Sequence, residues 1–179
     1  MQRIIMLGGS GFLGRWISRS LLMRGYEVVD IDLAAAAGFR PPFSERYAFR
    51  RIDCHDARAV AGQVRPGDVV VHLLHQSIPA ESMGDPRAER EMNLDPYAEL
   101  LEAFAKNPPA TIVYSSSGGQ VYGEAERLPI REDHPLKPIT EYGKAKKRME
   151  ELTREASESL GMGHLVLRFA NPYGPFQEM

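Results

Sequence analysis

The apolar run Ile4-Ile5-Met6-Leu7 breaks directly into Gly8-Gly9-Ser10-Gly11-Phe12-Leu13-Gly14, and few folds accommodate that junction. Residues 3–7 read as a buried strand. Phe12, Leu13, Ile17, Leu21 and Leu22 then recur at the spacing of one helix face until Gly25 stops the run. Residues 27–32 read as a second strand, so the opening of the chain is one βαβ unit. A strand that dissolves into glycines and restarts as a helix holds a phosphate. The helix start offers unpaired N–H groups and about half a positive charge. The spacing fits G-x-G-x-x-G (Gly9, Gly11, Gly14) and G-x-x-G-x-x-G (Gly8, Gly11, Gly14) alike. In either reading Gly8 turns the chain, Gly11 admits a pyrophosphate to the backbone, and Gly14 lets helix and strand pack closely.

The alternation continues. Residues 34–43 read as a loop, 47–52 as a third strand, 56–64 as a short helix and 68–74 as a strongly apolar fourth strand. Residues 85–106 are helical in pattern but interrupted at Asp95-Pro96, where Asp95 is expected to cap a new helix with Pro96 in its first position. Residues 111–114 form a fifth strand running into Ser115-Ser116-Ser117, 141–160 a long helix and 164–169 a sixth strand. Nearly all-apolar strands alternating with helices indicate a parallel sheet covered on both faces. The simplest topology is a doubly wound α/β fold, a single domain over residues 1–179. With 43% hydrophobic and 26% charged residues and a net charge of −2, the chain lacks the basic excess of a nucleic-acid or membrane-surface binder. No apolar run approaches the roughly 18 residues that span a bilayer, and no secretory pattern opens the chain. Cys54 is the one cysteine, so no internal disulfide forms, and no metal-ligand set is visible. A cytoplasmic location is the expectation.

Two groups of polar residues carry the chemical reading. Asp32 closes the second strand, about 20 residues past the glycines, where a carboxylate accepts hydrogen bonds from both hydroxyls of an adenosine ribose. A 2′-phosphate there is repelled, which favours NAD over NADP, although Arg15 and Arg40 offer it positive charge. Asp30 is expected to point away from that ribose, as a solvated or capping residue. Tyr142-Gly143-Lys144-Ala145-Lys146 sets a phenol and an ammonium one helical turn apart on one face. To act as a base near neutrality the phenol needs a shift of about three units, roughly 4 kcal/mol, from the lysine charge and a positive nicotinamide ring. At the carboxyl edge of the fifth strand, a hydroxyl of Ser116 or Ser117 would hydrogen-bond a substrate alcohol and help pass its proton to Tyr142.

Taken in order, GGSGFLG, Asp32, Asp53, His72-Leu73-Leu74-His75, SSSGGQVYG, YGKAK and LRFANPYGP resemble the extended short-chain dehydrogenase/reductase family, specifically its nucleotide-sugar epimerases and dehydratases. The resemblance covers essentially the whole chain. It implies a Rossmann fold, NAD as cofactor and a nucleotide-sugar (UDP-hexose) substrate, most like the UDP-glucose or UDP-N-acetylglucosamine 4-epimerases. It also implies roles. The backbones of Phe12 and Leu13 would contact the pyrophosphate, and Asp53 and Cys54 would lie beside the adenine. Leu73, Leu74 and His75 would line the dinucleotide channel. Tyr142 would be the base, Lys146 would bind the nicotinamide ribose and lower the tyrosine's pKa, Phe169 would border the nicotinamide, and Asn171 would reach the sugar diphosphate. The family commonly dimerises through the helix after the fourth strand and the tyrosine-bearing helix. On the first of these, Leu94, Tyr97, Leu101 and Phe104 form an apolar stripe that by pattern is more often a core face.

Three features depart from the family pattern. Most relatives end the fourth strand in Ala-Gly, where this chain has the bulkier Leu74-His75. Counting back from Val121-Tyr122-Gly123 puts Gly118 at the usual catalytic Ser/Thr position, whereas counting forward from the strand puts Ser117 there. Relatives also continue into a smaller domain that clamps the nucleotide, so the chain is expected to be the cofactor portion, binding NAD but turning over a nucleotide sugar poorly. A 4,6-dehydratase is the weaker reading, because Gly119 and Gln120 occupy the places of that chemistry's Asp-Glu pair. The residues also admit an NADP-dependent sugar reductase or a non-catalytic dinucleotide-binding module.

Overall fold

Among the described residues six parallel strands form one sheet in the order β3-β2-β1-β4-β5-β6. They are β1 (Arg3–Leu7), β2 (Glu27–Asp32), β3 (Tyr47–Arg51), β4 (Val69–His72), β5 (Thr111–Ser117) and β6 (Gly163–Phe169). The helices are α1 (Phe12–Met23), α2 (Ala57–Ala61), α3 (Pro86–Glu89), α4 (Asp95–Ala103) and α5 (Glu141–Leu160). The structure is a computed structural model that describes residues 1–76, 86–175 and 177. The strand order is that of a doubly wound sheet, as the alternation predicts.

Strand residues sort by parity onto two faces. Ile5, Leu7, Val29, Ile31, Val70, Ile112 and Tyr114 pack under Val60 of α2, Leu100 and Leu101 of α4 and Met149 of α5. On the other face Ile4, Met6, Val28 and Val71 pack under Leu22 of α1. That cover does not reach β6, where Leu165 is 50% exposed. The apolar stripe after β4 turns inward: Tyr97, Leu101 and Phe104 are buried in the first core, with Leu94 against it. The Tyr97 hydroxyl lies 2.7 Å from Thr153 Oγ1, tying α4 to α5. Among the described residues no helix is long and apolar enough to cross a membrane.

The expected cap at Asp95 is overturned. From Pro86 the chain stays helical through a π-turn (Arg90–Leu94) into α4, with Leu94 (φ −75°, ψ −50°) and Asp95 (φ −64°, ψ −47°) both helical. Pro96 has no N–H to donate, and its ring crowds the preceding turn. The wider π-turn just before it accommodates that defect without ending the helix. Asp95 instead pairs with Arg90 at 3.2 Å. Asp85, the expected first residue of this helix, lies outside the described residues.

Candidate active site

The carboxyl ends of β1 and β4 are adjacent, with Leu7 paired to His72. The chain leaves β1 towards one face and β4 towards the other, so a crevice opens between them. The glycine turn forms its floor. The Gly11 amide donates to Gly8 O at 3.2 Å, and the Gly8 amide to Ile31 O at 3.0 Å. A side chain at Gly14 would overlap the Gly8 and Gly9 backbone, so only glycine lets α1 start this close to β1. At Gly11 an added Cβ would come 3.3 Å from the backbone oxygen of Gly8, a tight approach that the glycine avoids. No side chain caps α1, and its first turn holds no acidic residue. The Phe12 and Leu13 amides therefore begin a helix whose first turn carries no counter-charge, which fits a diphosphate held through the backbone. Leu73 and Leu74 flank Gly8 at the wall of the crevice, with Leu74 packed against the first core.

Both acidic residues of β2 serve this turn. Asp32 Oδ2 accepts from the Ser10 amide at 3.3 Å, and its Oδ1 accepts from the Leu33 amide at 2.8 Å. Asp30 does not face away. Residues two apart on a strand share a face, so Asp30 lies beneath the same turn. It is 1% exposed and accepts from Ser10 Oγ and Tyr47 OH, each at 2.8 Å. Burial raises its pKa, against the hydrogen bonds from Ser10 and Tyr47. Asp30 is thus a buried brace of the glycine turn and not a solvated residue. Arg15 donates to Ser10 O at 3.2 Å and shares a cavity of about 350 Å³ with Arg40.

Above the floor, Thr140 fixes the start of α5. Its Oγ1 accepts from the Gly143 amide at 3.0 Å and donates to Gln120 Oε1 at 3.0 Å. A side chain at Gly143 would come 2.6 Å from Gln120 O, so the first turn of α5 can lie against the 118–123 loop only with glycine there. Tyr142 is thereby aimed at the end of β5, near enough to Ser117 for that hydroxyl to lower its pKa. Lys146, 3% exposed, donates to Ser115 O at 3.0 Å, with its ammonium 5.6 Å from the Tyr142 ring centroid. Burial pushes that ammonium down to about 8, with Glu89 and Glu150 pulling the other way. Burial also raises the Tyr142 pKa, which the Ser117 hydroxyl lowers and Glu89 raises further.

The serine register follows from β5, which extends to Ser117 because Ser115, Ser116 and Ser117 pair with Leu167, Arg168 and Phe169 of β6. Alternation along that strand puts Ser117 and Ser116 on opposite faces, Ser116 with Tyr114 on the face that α5 covers. There Ser116 Oγ donates to Glu150 Oε1 at 2.5 Å, so its hydroxyl is held by Glu150, and Ser117 is the serine that acts on Tyr142. Gly118 is held by its amide on Phe169 O at 2.8 Å and has no side chain to offer. Asp53 Oδ1 accepts from the His55 amide at 2.9 Å, and Cys54 Sγ contacts Ile31 O at 3.4 Å, its thiol pushed up to about 12 by burial. Both lie past β3, beside the end of β2. Phe169 is half-buried at the end of β6, and Asn171 is exposed beside Gly119.

Residue patterns do not single out a second set of polar groups here. Glu89, 3% exposed, lies 3.2 Å from His75 and accepts from Asn93 at 3.1 Å. Arg168 grips the Glu150 carboxylate at 2.8 Å and donates to Tyr122 OH at 2.8 Å, bracing the 118–134 loop against α5 and β6. Among the described residues no group of His, Cys, Asp and Glu is arranged to hold a metal ion.

A profile of the NAD dependent epimerase/dehydratase family matches residues 4–179. The UDP-glucose 4-epimerase of Lactobacillus helveticus is 31% identical over 175 residues, covering 97% of this chain and 52% of the relative. The structure of Thermus thermophilus UDP-glucose 4-epimerase in complex with NAD superposes with a TM-score of 0.84 at 31% identity, covering 99% of this chain and 58% of that one. A dTDP-glucose 4,6-dehydratase from Streptomyces venezuelae, solved with NAD, gives a TM-score of 0.85 at 26% identity, covering 98% and 58%. The chain spans about half the length of the curated relatives it matches.

Proposed function

The chain belongs to the NAD-dependent epimerase/dehydratase family, and from that premise we propose that it is the cofactor-binding and catalytic portion of an NAD-dependent nucleotide-sugar 4-epimerase acting on a UDP-hexose. One observation carries the reading: Tyr142, Ser117 and Lys146 converge at the carboxyl end of the sheet, beside an uncapped glycine turn. Gly8, Gly11, Gly14 and the amides of Phe12 and Leu13 hold the pyrophosphate of NAD, and Asp32 holds the adenosine ribose. Asp53, Cys54, Leu73 and Leu74 border the adenosine half, Phe169 the nicotinamide, and Asn171 the sugar diphosphate.

When bound, NAD supplies a hydride acceptor and donor at C4 of the sugar. The residues handle the proton. Ser117 receives the 4-hydroxyl in a hydrogen bond and aligns it on Tyr142, which takes the proton as the alcohol becomes a ketone and returns it after the keto sugar has turned over. Lys146 anchors the ribose next to the nicotinamide and keeps a positive charge beside the phenol. Because burial and Glu89 raise the tyrosine's pKa in the free protein, the added positive charge of the nicotinamide ring lowers the phenol into its working range.

A dehydratase fits less well. Gln120 is engaged by Thr140 at 3.0 Å, and Gly119 offers no acid or base. Tyr142→Phe in a version of the chain extended to the length of its relatives tests the assignment: turnover of UDP-glucose falls at least about 100-fold while NAD affinity stays nearly intact. Unchanged turnover would remove Tyr142 from the mechanism.

A further inference from the structure

We propose that His75 and Glu89 form a carboxylate–imidazole dyad that reads a hydroxyl group of the ligand served by Tyr142. The proposal deepens the reading above and rests on it for the ligand's identity as a dinucleotide or a nucleotide sugar.

His75 follows β4, at the carboxyl end of the sheet beside the crevice. Its ring packs edge-to-face on Tyr142, with centroids 4.7 Å apart and planes at 78°. A group bonded to the phenol is therefore within one side chain's reach of the imidazole. The His75 side chain is 7% exposed, and neither ring nitrogen has a hydrogen-bond partner among the described residues. Nε2 lies 3.2 Å from Glu89 Oε2, at ion-pair distance but out of hydrogen-bond alignment. Buried polar atoms without partners are rare in native proteins, and one beside a catalytic phenol points to a ligand that satisfies it.

The surroundings fix which nitrogen does so. Asn93 Nδ2 donates to Glu89 Oε2 at 3.1 Å, and Asn93 Oδ1 accepts from the Gln76 amide at 2.8 Å. Glu89 is thus tied back to the residue next to His75. Lys146 on α5 and His72 on β4 are the other titratable groups facing the ring, and burial together with the Lys146 charge holds the imidazole neutral, down to about 2. In a neutral ring the carboxylate favours the proton on Nε2, which leaves Nδ1 as an acceptor for a hydroxyl. The shared ligand chemistry is a sugar hydroxyl, belonging either to the ribose nearest the tyrosine or to the hexose.

The test is ¹⁵N NMR of the histidine side chains in the whole chain, assigned with His75→Gln, alongside calorimetry. Added NAD shifts the His75 Nδ1 signal towards its hydrogen-bonded position if the ribose is the partner. A shift that waits for UDP-glucose identifies the hexose. His75→Leu then weakens the same ligand by about 3- to 10-fold, while Glu89→Gln redistributes the two tautomers in the free protein. If His75→Leu does not fold, the wild-type shifts decide alone. A His75 signal unmoved by both ligands while calorimetry records NAD binding overturns the dyad and leaves the cofactor reading standing. Failure of the wild type to bind NAD overturns that reading, and the dyad with it.

Discussion

Lys146 is buried at a cost to stability, and that cost is measurable. Its ammonium falls from 10.5 to about 8 because burial strips its water, with one hydrogen bond to Ser115 O in return. A lowered base pKa means that between pH 8 and 10.5 the unfolded chain binds a proton the folded chain has released, so stability rises with pH across that window. At about 1.4 kcal/mol per unit, the gain between pH 7 and 9.5 is about 2 kcal/mol. Lys146→Met keeps the length and apolar stem but cannot titrate. Its lost bond to Ser115 O is a constant offset, and most other ionisations cancel when wild type and variant are compared. Urea unfolding followed by circular dichroism at pH 7 and 9.5 should show the wild type gaining about 2 kcal/mol on the variant. Two proteins that track in parallel would mean that the lysine is not desolvated, and the electrostatic account of the catalytic pair would fail.

Three further outcomes follow from the same geometry. In a version extended to the length of the relatives, Ser117→Ala lowers turnover at least about tenfold with little change in melting, whereas Ser116→Ala leaves turnover intact and costs about 1–2 kcal/mol of stability as Glu150 loses a donor. Equal effects on turnover would refute the strand register. Asp30→Ala strands the hydroxyls of Ser10 and Tyr47, costs about 2–3 kcal/mol in denaturant unfolding and weakens NAD binding through the slackened turn; a stability change near zero would remove Asp30 as the brace. His72 is pushed down to about 3 by burial. The unfolded chain therefore binds the extra proton below pH 6.5, and lowering the pH from 7 to 5 costs the wild type about 2 kcal/mol that His72→Leu does not lose.

The sheet was legible because each strand is a short apolar run bounded by turn residues, and because the glycine turn fixes how the first strand meets the first helix. Proline's usual meaning misled at Asp95-Pro96, since a π-turn that tolerates the missing N–H leaves no mark in the pattern. Asp30 illustrates a different limit. Strand parity places it on the face of Asp32, yet its burial depends on Tyr47 of a neighbouring strand. The serine register needed the pairing of β5 with β6, which sequence spacing alone leaves open by one residue. Glu89 and His75 stand 14 positions apart, and only the packing of α3 against the end of β4 brings them together.

The central claim is that the amide-rich start of α1 grips a diphosphate while Asp32 holds the adjoining ribose. Calorimetric titration of the chain with NAD, beside Gly11→Val, tests it most directly. The account predicts one bound NAD per chain and loss of that binding when a side chain is placed at Gly11, beside the Gly8 backbone. No heat of binding from the wild type, or equal binding by the variant, would contradict it.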